Sequence, residues 1–192
     1  MQNFIPKIYC FINDYNLSDL SKLSNSINII YRNYEKLDDH ETILKLKTFC
    51  NKTKRKFYIS NNIRLALNLK VDGIYIPSFN KKINYCYLYK IPKKFEIIGS
   101  AHNFKEIIIK EKQGCNEIFV SPIFKVQKTK KYLGIIKFNL LTNLTKKKII
   151  ALGGINQNNL KKLKSTKSFG FASISWAKKN GPKSISSRLK FK

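Results

Sequence analysis

The sequence predicts an α/β fold, a single (β/α)8 TIM barrel that occupies residues 1–192. Eight short apolar runs alternate with seven or eight segments of helical spacing, the pattern of parallel strands joined by helices. The runs are nearly continuous in apolar residues, as expected for strands covered on both faces. A doubly wound open sheet has the same local pattern, but its phosphate loop usually follows the first strand, where Asn13 and Asp14 bring no glycine.

The first two strand–helix units each join an apolar run to a helix with a polar cap. Asn16 or Ser18 is expected to cap the first helix, because a short polar side chain can accept hydrogen bonds from the free amides of a first turn. Asp38 or Asp39 is expected to cap the second, whose apolar residues recur at helical spacing. The predicted elements are strand Ile8–Ile12, helix Leu17–Leu23, strand Ile27–Arg32 and helix Asp39–Phe49.

The next units are bounded by strong turn signals. A basic loop over residues 52–56 leads into the third strand, and Asp72 with Gly73 forms a sharp turn at the fourth. Pro77 ends the fourth strand, because proline has no amide hydrogen to donate to the ladder. The predicted elements are strand Lys56–Ile59, helix Asn61–Leu69 and strand Val71–Ile76.

The segment Phe79–Lys94 carries two patterns. Tyr85, Tyr87 and Tyr89 alternate as in a strand, whereas a short helix that ends before Pro92 suits the barrel. We predict a helix here, because a parallel strand pair needs a crossover.

The remaining units repeat the strand–helix order. Asn103 is the expected cap of the helix after the fifth strand, and Ile107 and Ile108 mark its apolar face. The predicted elements are strand Phe95–Ile98, helix Phe104–Lys112, strand Asn116–Val120, helix Leu133–Leu144, strand Lys148–Ile155, a helix that includes Asn159–Leu163, strand Phe171–Ser175 and helix Pro182–Leu189.

Lysine dominates the charge of the chain. The formal net charge is +27, but arginine occurs only as Arg32, Arg55, Arg64 and Arg188, and lysine is spread along the whole chain. Arginine is the better ligand for phosphates and base edges, so a dedicated nucleic-acid binder would use more of it. We therefore expect no nucleic-acid partner beyond nonspecific, salt-sensitive binding.

Composition also indicates the compartment. No apolar run reaches the length of a membrane span, and Met1–Ile5 lacks the basic start and long apolar region of a signal peptide. We expect a cytoplasmic protein without a membrane partner, and the sequence leaves a homo-oligomer open. Four scattered cysteines form no Cys-x-x-Cys pair, so reduced, structural thiols are expected at Cys10, Cys50, Cys86 and Cys115.

The seventh strand ends at a glycine pair. Gly153 and Gly154 carry no side chain, so an anionic oxygen can approach their amides, and the free amides of the following first turn attract negative charge. The loops after strands seven and eight commonly hold phosphate in a (β/α)8 barrel. The alternative is a tight turn without a ligand.

Five motifs occur along the chain in an order that resembles the thiamine phosphate synthase and thiazole tautomerase (TenI) family. The resemblance extends from about Ile8 to Trp176. It implies a (β/α)8 barrel that joins a pyrimidine pyrophosphate to a thiazole phosphate and releases pyrophosphate. The motifs are Asp72–Ile74, Ser100–Asn103, Val120–Phe124 followed by Thr129 and Lys130, Ala151–Asn156, and Gly170–Ser175.

The resemblance also implies roles for individual residues. It places Gly153, Gly154 and Ser175 around the phosphate of the thiazole or of thiamine phosphate. Ser100 matches a serine that faces the pyrimidine. The positions that match pyrophosphate-binding groups are Arg32, Thr129 and Lys130, of which Lys130 is also a candidate catalytic residue together with Ser100.

Several positions depart from the family pattern. A glutamine and a lysine near Arg32 are replaced by Ile30 and Tyr34, and the histidine of the tautomerases corresponds to Pro122. The two aspartates that hold Mg²⁺ in synthases are replaced by Asn61 and Asn80, and neutral amides bind this hard cation far less well than carboxylates do.

The resulting functional hypothesis is a thiamine phosphate synthase-like transferase that binds small phosphorylated thiazole or pyrimidine ligands. No cofactor is assigned, and Mg²⁺ is expected only if synthase activity is retained. The alternatives are a divergent thiazole tautomerase-like enzyme and a protein that binds a phosphorylated ligand without catalysis.

Three further side chains have two interpretations each. His102, just past the fifth strand, is a candidate general acid or base, or a residue that caps the following helix. Tyr34 and Tyr75 either stack on a heteroaromatic ligand or fill the space that the metal and pyrophosphate occupy in relatives.

Overall fold

The computed structural model describes residues 6–36, 39–84, 90–127 and 131–173. Eight parallel strands form a closed barrel in which each strand pairs with the next and the last pairs with the first. The (β/α)8 barrel predicted from the sequence is confirmed. The strands are β1 (Lys7–Ile12), β2 (Ile27–Tyr31), β3 (Phe57–Ser60), β4 (Gly73–Ile76), β5 (Glu96–Ala101), β6 (Glu117–Val120), β7 (Lys148–Leu152) and β8 (Gly170–Ser173).

Helices of the described residues connect most of these strands. The predicted caps Asn16, Asp39 and Asn103 accept hydrogen bonds from first-turn amides, and Asn62 caps the helix after β3. None of these helices is long and apolar enough to cross a membrane. They are α1 (Leu17–Ser21), α2 (His40–Lys52), α3 (Ile63–Asn68), α4 (Phe104–Lys112), α5 (Gly134–Asn143) and a 3₁₀ helix (Leu160–Ser165).

The short helix predicted before Pro92 stays a prediction, because residues 85–89 lie outside the described residues. Residues 79–84 and 90–94 are not helical. The carbonyls of Asn80 and Lys82 accept hydrogen bonds from side chains of the neighbouring helix region. A carbonyl bound by a distant side chain no longer needs its own helical ladder.

After β7 the chain forms a 3₁₀ helix, where helical spacing predicted an ordinary helix. Asn156 and Asn159 occupy the preceding turn with their side chains, which delays the start of the helix to Leu160. The predicted helix Pro182–Leu189 and the last two residues of predicted strand eight lie outside the described residues.

The barrel wall separates two apolar layers. Alternate strand residues face the helices, where Cys10 and Ile29 share a cluster with helix residues such as Leu46. The other residues face inward and form a second cluster rich in aromatic rings. The inward rings pack edge-to-face or tilted, with centroids 4.9 to 6.2 Å apart. These rings are Tyr9, Phe11, Tyr58, Tyr75 and Phe119.

Two polar clusters lie near the amino-terminal ends of the strands. In each, a carboxylate accepts hydrogen bonds from a lysine and a tyrosine, so its charge is compensated despite burial. Burial and the nearby carboxylates raise the pKa of both tyrosines, which therefore remain protonated donors. Glu117 pairs with Lys7 and Tyr9, and Glu96 pairs with Lys56 and Tyr58.

The cysteines face the outer apolar layer. Cys10, Cys50 and Cys115 are buried and form no disulfide among the described residues, as predicted for these three, and Cys86 lies outside the described residues. Burial raises the pKa of Cys50 to about 12. A thiol with so high a pKa is a poor nucleophile at neutral pH.

Candidate functional site

The carboxyl ends of the strands gather most of the predicted site residues at one mouth of the barrel. Arg32 follows β2, Asn61 follows β3, and Ser100 lies near the end of β5. Gly153 and Gly154 follow β7 at the same end. In a parallel barrel this end is where active sites form. Ser175, Thr129 and Lys130 lie outside the described residues.

Gly153 and Gly154 adopt left-handed conformations that side chains disfavour, with φ of 92° and 69°. A Cβ on Gly153 would lie 2.8 Å from the Cα of Pro122, and one on Gly154 would lie 2.5 Å from the carbonyl oxygen of Lys125. The loop after β6 therefore presses on the glycine pair, and Phe124 N donates to Gly153 O. Only glycine fits this close approach without strain.

The amides of Gly153 and Gly154 donate to no acceptor among the described residues. By contrast, the amides of Asn156, Asn158 and Asn159 are bound by side-chain oxygens within the same turn. The expectation of free first-turn amides is therefore wrong, because the asparagines cap that turn themselves. The glycine amides remain as anion donors at this edge.

Arg32 lies over the interior aromatic layer. Its guanidinium carbon is 4.5 Å from the centroid of the Phe11 ring, and its side chain interacts with the hydroxyl of Tyr75. Ser100 is buried near the same hydroxyl. Burial raises the pKa of Tyr75 to about 12. Tyr75 thus fills the barrel interior next to Arg32 and Ser100.

Tyr34 has a different environment from Tyr75. It is 46% exposed and packs edge-to-face on Phe79, which is 62% exposed, with ring centroids 5.6 Å apart. The guanidinium of Arg32 lies 5.9 Å from the Tyr34 ring. An exposed aromatic pair therefore stands beside a cation, a combination suited to an anionic ligand that carries a ring.

Asn61 and Asn80 bind each other directly. Asn80 Nδ2 donates to Asn61 Oδ1 over 2.6 Å, and Asn61 holds a left-handed backbone with a φ of 60°. No group of three or more His, Cys, Asp or Glu that suits a metal exists among the described residues. The side chains present do not fit Mg²⁺, because both are neutral and an oxygen that would face the metal accepts from the other amide.

Lys110 is a buried cation beneath this pair that sequence reasoning missed. Its ammonium donates to the carbonyl oxygens of Pro77 and Asn80 at 2.7 and 2.9 Å, and to Gln113 Oε1 at 2.8 Å. Burial lowers the pKa of Lys110 to about 8. The available signal was a lysine three residues after Ile107, on the buried face of α4.

His102 contacts the start of α4. Its backbone amide and its Nδ1 lie 2.7 and 3.0 Å from Glu106 Oε2, and its side chain is 49% exposed. His102 thus precedes the cap Asn103, and the Glu106 carboxylate reaches back to its amide. Its role as a general acid or base stays a prediction.

Ser60 is a second group that sequence reasoning missed. Its hydroxyl is buried at the end of β3 beside Tyr75 and has no hydrogen-bond partner among the described residues. Strand alternation from the inward-facing Tyr58 was the signal that could have located it.

Residues 23–177 match the family model described as thiamine monophosphate synthase. The thiamine-phosphate synthase of Prochlorococcus marinus strain SARG is 30% identical over 154 residues, which are 76% of this chain and 43% of that relative. The thiamine-phosphate synthase of Flavobacterium johnsoniae is 29% identical over 155 residues, which are 76% of this chain and 72% of the relative. The alignment thus spans less than half of the Prochlorococcus protein.

Solved structures show the same fold at low identity. A thiamine phosphate pyrophosphorylase from Pyrococcus furiosus superposes with a TM-score of 0.73 at 18% identity, over 90% of this chain and 87% of that one. FabK from Thermotoga maritima superposes with a TM-score of 0.67 at 13% identity, over 91% of this chain and 59% of that one. Since proteins with different names share the barrel, its shape alone does not specify the chemistry.

Proposed function

Because the chain belongs to the thiamine monophosphate synthase family, we propose that its barrel mouth binds a phosphorylated thiazole or thiamine phosphate. The relatives are named thiamine-phosphate synthases, and the synthase of Flavobacterium johnsoniae aligns over 72% of its length. Phosphate binding is the part of that function that the residues of this chain are best equipped to perform.

The glycine pair carries the proposal. Gly153 and Gly154 offer amides with no acceptor among the described residues, at the mouth where (β/α)8 barrels commonly bind phosphate. Backbone donors bind a phosphate oxygen without the rotamer cost of a long side chain. The buried hydroxyl of Ser60, which has no hydrogen-bond partner in the part of the chain that the structure describes, supplies a further polar group at this mouth.

The organic part of the ligand has a complementary surface. Tyr34 and Phe79 expose aromatic rings beside Arg32, so a heteroaromatic ring can stack there while the guanidinium attracts its negative charge. A thiazole phosphate and thiamine phosphate both combine a ring with a phosphate.

The transfer reaction of the family requires more than phosphate binding, because the charge of the leaving pyrophosphate must also be stabilised. A C–N bond forms between the methylene of the pyrimidine and the nitrogen of the thiazole, while the C–O bond breaks and pyrophosphate leaves with the electron pair. Asn61 and Asn80 bring no negative charge to hold a metal against that leaving group. Our proposal therefore includes strongly impaired transfer.

A second candidate function is noncatalytic binding of the same phosphoester. The Asn61–Asn80 hydrogen bond favours noncatalytic binding, because the two side chains at the metal positions bind each other. Formation of thiamine phosphate from both substrates, measured with and without Mg²⁺, separates the two candidates. A rapid, metal-dependent reaction would contradict the impairment.

Calorimetric titration with thiamine phosphate and with unphosphorylated thiamine tests the binding proposal. We expect thiamine phosphate to bind and thiamine to bind much more weakly, since the glycine amides recognise the phosphate. A ligand at a hundredfold excess over its dissociation constant should also stabilise the fold by about 2.7 kcal/mol. Equal affinity for both compounds, or no binding of either, would refute the proposal.

A further inference from the structure

Two buried side chains of the α4 region donate hydrogen bonds to backbone carbonyls of the loop after β4. Lys110 and Gln113 are both fully buried. Lys110 donates to the carbonyls of Pro77 and Asn80, and Gln113 Nε2 donates to the carbonyls of Asn80 and Lys82 at 2.9 and 2.8 Å. A buried ammonium is costly unless its donors are satisfied, and these oxygens together with Gln113 Oε1 satisfy them.

This anchoring fixes the backbone of Asn80, and Asn80 Oδ1 accepts from the backbone amide of Lys82 over 3.0 Å, which orients the side chain. With its carbonyl oxygen bound by Lys110 and Gln113, Asn80 directs Nδ2 to Asn61 Oδ1 across the gap between the loops after β4 and β3. The backbone of Asn61 is also fixed, because its main-chain N–H donates to the carbonyl oxygen of Tyr75 over 2.8 Å. The two loops are thereby tied together by a neutral bond.

A divalent cation at this place would meet two obstacles. It would have to break the Asn61–Asn80 bond, and it would be repelled by the ammonium of Lys110, which contacts the backbone of Asn80. Repulsion between charges is strong where the surroundings are buried and poorly polarisable.

We propose that Lys110 is a positioning residue that takes the structural place of a divalent cation, holding the loop after β4 against Asn61, so that this mouth works without a metal. This inference rests on the proposed function, because it concerns the mouth that we propose binds the phosphoester. Lys110 acts through Asn80 and touches no ligand.

Manganese binding tests the absence of a metal directly. The electron paramagnetic resonance signal of free Mn²⁺ weakens when the ion binds, and this readout needs no organic ligand. We expect no binding to the wild-type chain, binding to N61D/N80D, and roughly tenfold or tighter binding once Lys110→Met is added, because a buried positive charge is removed. Mn²⁺ binding by the wild-type chain that Asn61→Ala abolishes, or equal affinity of the double and triple variants, would overturn the proposal.

Trypsin cleavage tests the anchoring. Lys81 and Lys82 are exposed residues of the loop, so loss of its anchor should speed cleavage there severalfold in Lys110→Met. Lys112→Met is the matched control, because it removes an exposed lysine from the same helix. Equal cleavage rates in the two variants would overturn the proposal. A failure of thiamine phosphate to bind would instead refute the proposed function and leave both readouts intact.

Discussion

Single residues at the mouth differ in role according to their burial. Tyr75 and Tyr34 are both tyrosines near Arg32, yet Tyr75 is 2% exposed and Tyr34 is 46% exposed. The buried ring packs against Phe11 and Phe119 in the barrel interior. The exposed ring keeps a free face, so it is the one available to a ligand.

The glycine pair leads to a prediction with an internal control. Gly154 and Gly134 both have positive φ, but a Cβ on Gly154 meets backbone oxygens whereas one on Gly134 meets nothing within 4 Å. Gly134→Ala should lower the free energy of unfolding by about 1–2 kcal/mol through backbone strain alone and leave ligand affinity unchanged. Gly154→Ala should also abolish thiamine phosphate binding, measured by calorimetry. Equal affinity in the two variants would contradict the role of the glycine loop.

The exposed tyrosine leads to a second prediction at this scale. Tyr34→Ala should weaken thiamine phosphate binding roughly 2- to 10-fold, because an aromatic contact is worth about 0.5–1.5 kcal/mol. Phe169→Ala is a suitable control, since Phe169 is a partly exposed ring just before β8, at the opposite end of the barrel. Titration of both variants checks this, and an unchanged affinity in Tyr34→Ala would show that the ligand ring lies elsewhere.

Among the elements, four strands carry hydrogen-bonded polar side chains in the barrel at the end away from the mouth. These strands are β1, β3, β5 and β6. Their inward-facing residues near the amino-terminal ends form the two lysine–glutamate–tyrosine clusters. These clusters link strands that are not neighbours in the sheet, since β1 is tied to β6 and β3 to β5. They stabilise the barrel without contributing to the mouth.

Glu96 makes this end of the barrel sensitive to acid. Although burial alone raises its pKa, hydrogen bonds from Lys56 and Tyr58 lower the pKa of Glu96 below its ordinary value. A carboxyl with a lowered folded-state pKa stabilises the fold above its unfolded pKa, and that stability is lost as the pH falls through the folded value. Denaturant unfolding should therefore show stability that falls from about pH 5 downward. Glu96→Gln should reduce this dependence, and an identical pH profile would contradict the assignment.

At the scale of the whole molecule, the closed barrel and the excess of lysine have separate consequences. Closure pairs each of the eight described strands on both sides and brings distant loops to one mouth. The formal net charge of +27 acts on the surroundings of the molecule as a general field. This field attracts polyanions such as DNA, but it does not distinguish one base sequence from another.

The charge predicts nonspecific, salt-dependent binding to DNA. Affinity should fall linearly with the logarithm of salt concentration, because binding releases counterions, and it should not depend on base sequence. Fluorescence anisotropy with two unrelated duplexes over a range of salt checks both points. A sequence preference that persists at high salt would contradict this view and indicate a dedicated nucleic-acid surface.

Local patterns in the sequence were sufficient to predict the barrel and the position of its mouth. Apolar runs and polar caps mark strands and helices because backbone hydrogen bonding and side-chain alternation are local. Gly153 and Gly154 stand out because two glycines end an apolar run, and glycine reaches left-handed conformations at least cost. The match to the family then follows from motifs at strand ends.

Only the tertiary structure decided which residues at the mouth are joined by hydrogen bonds. Lys110 lies 33 positions from Pro77, and Asn80 lies 19 positions from Asn61, so no local pattern predicts their bonds. The same contacts explain why the described residues after β4 are not helical, since their carbonyls are bound by α4 and its neighbour Gln113. Chain folding sets which distant donors and acceptors meet, because burial forces each polar group to find a partner wherever the packing supplies one.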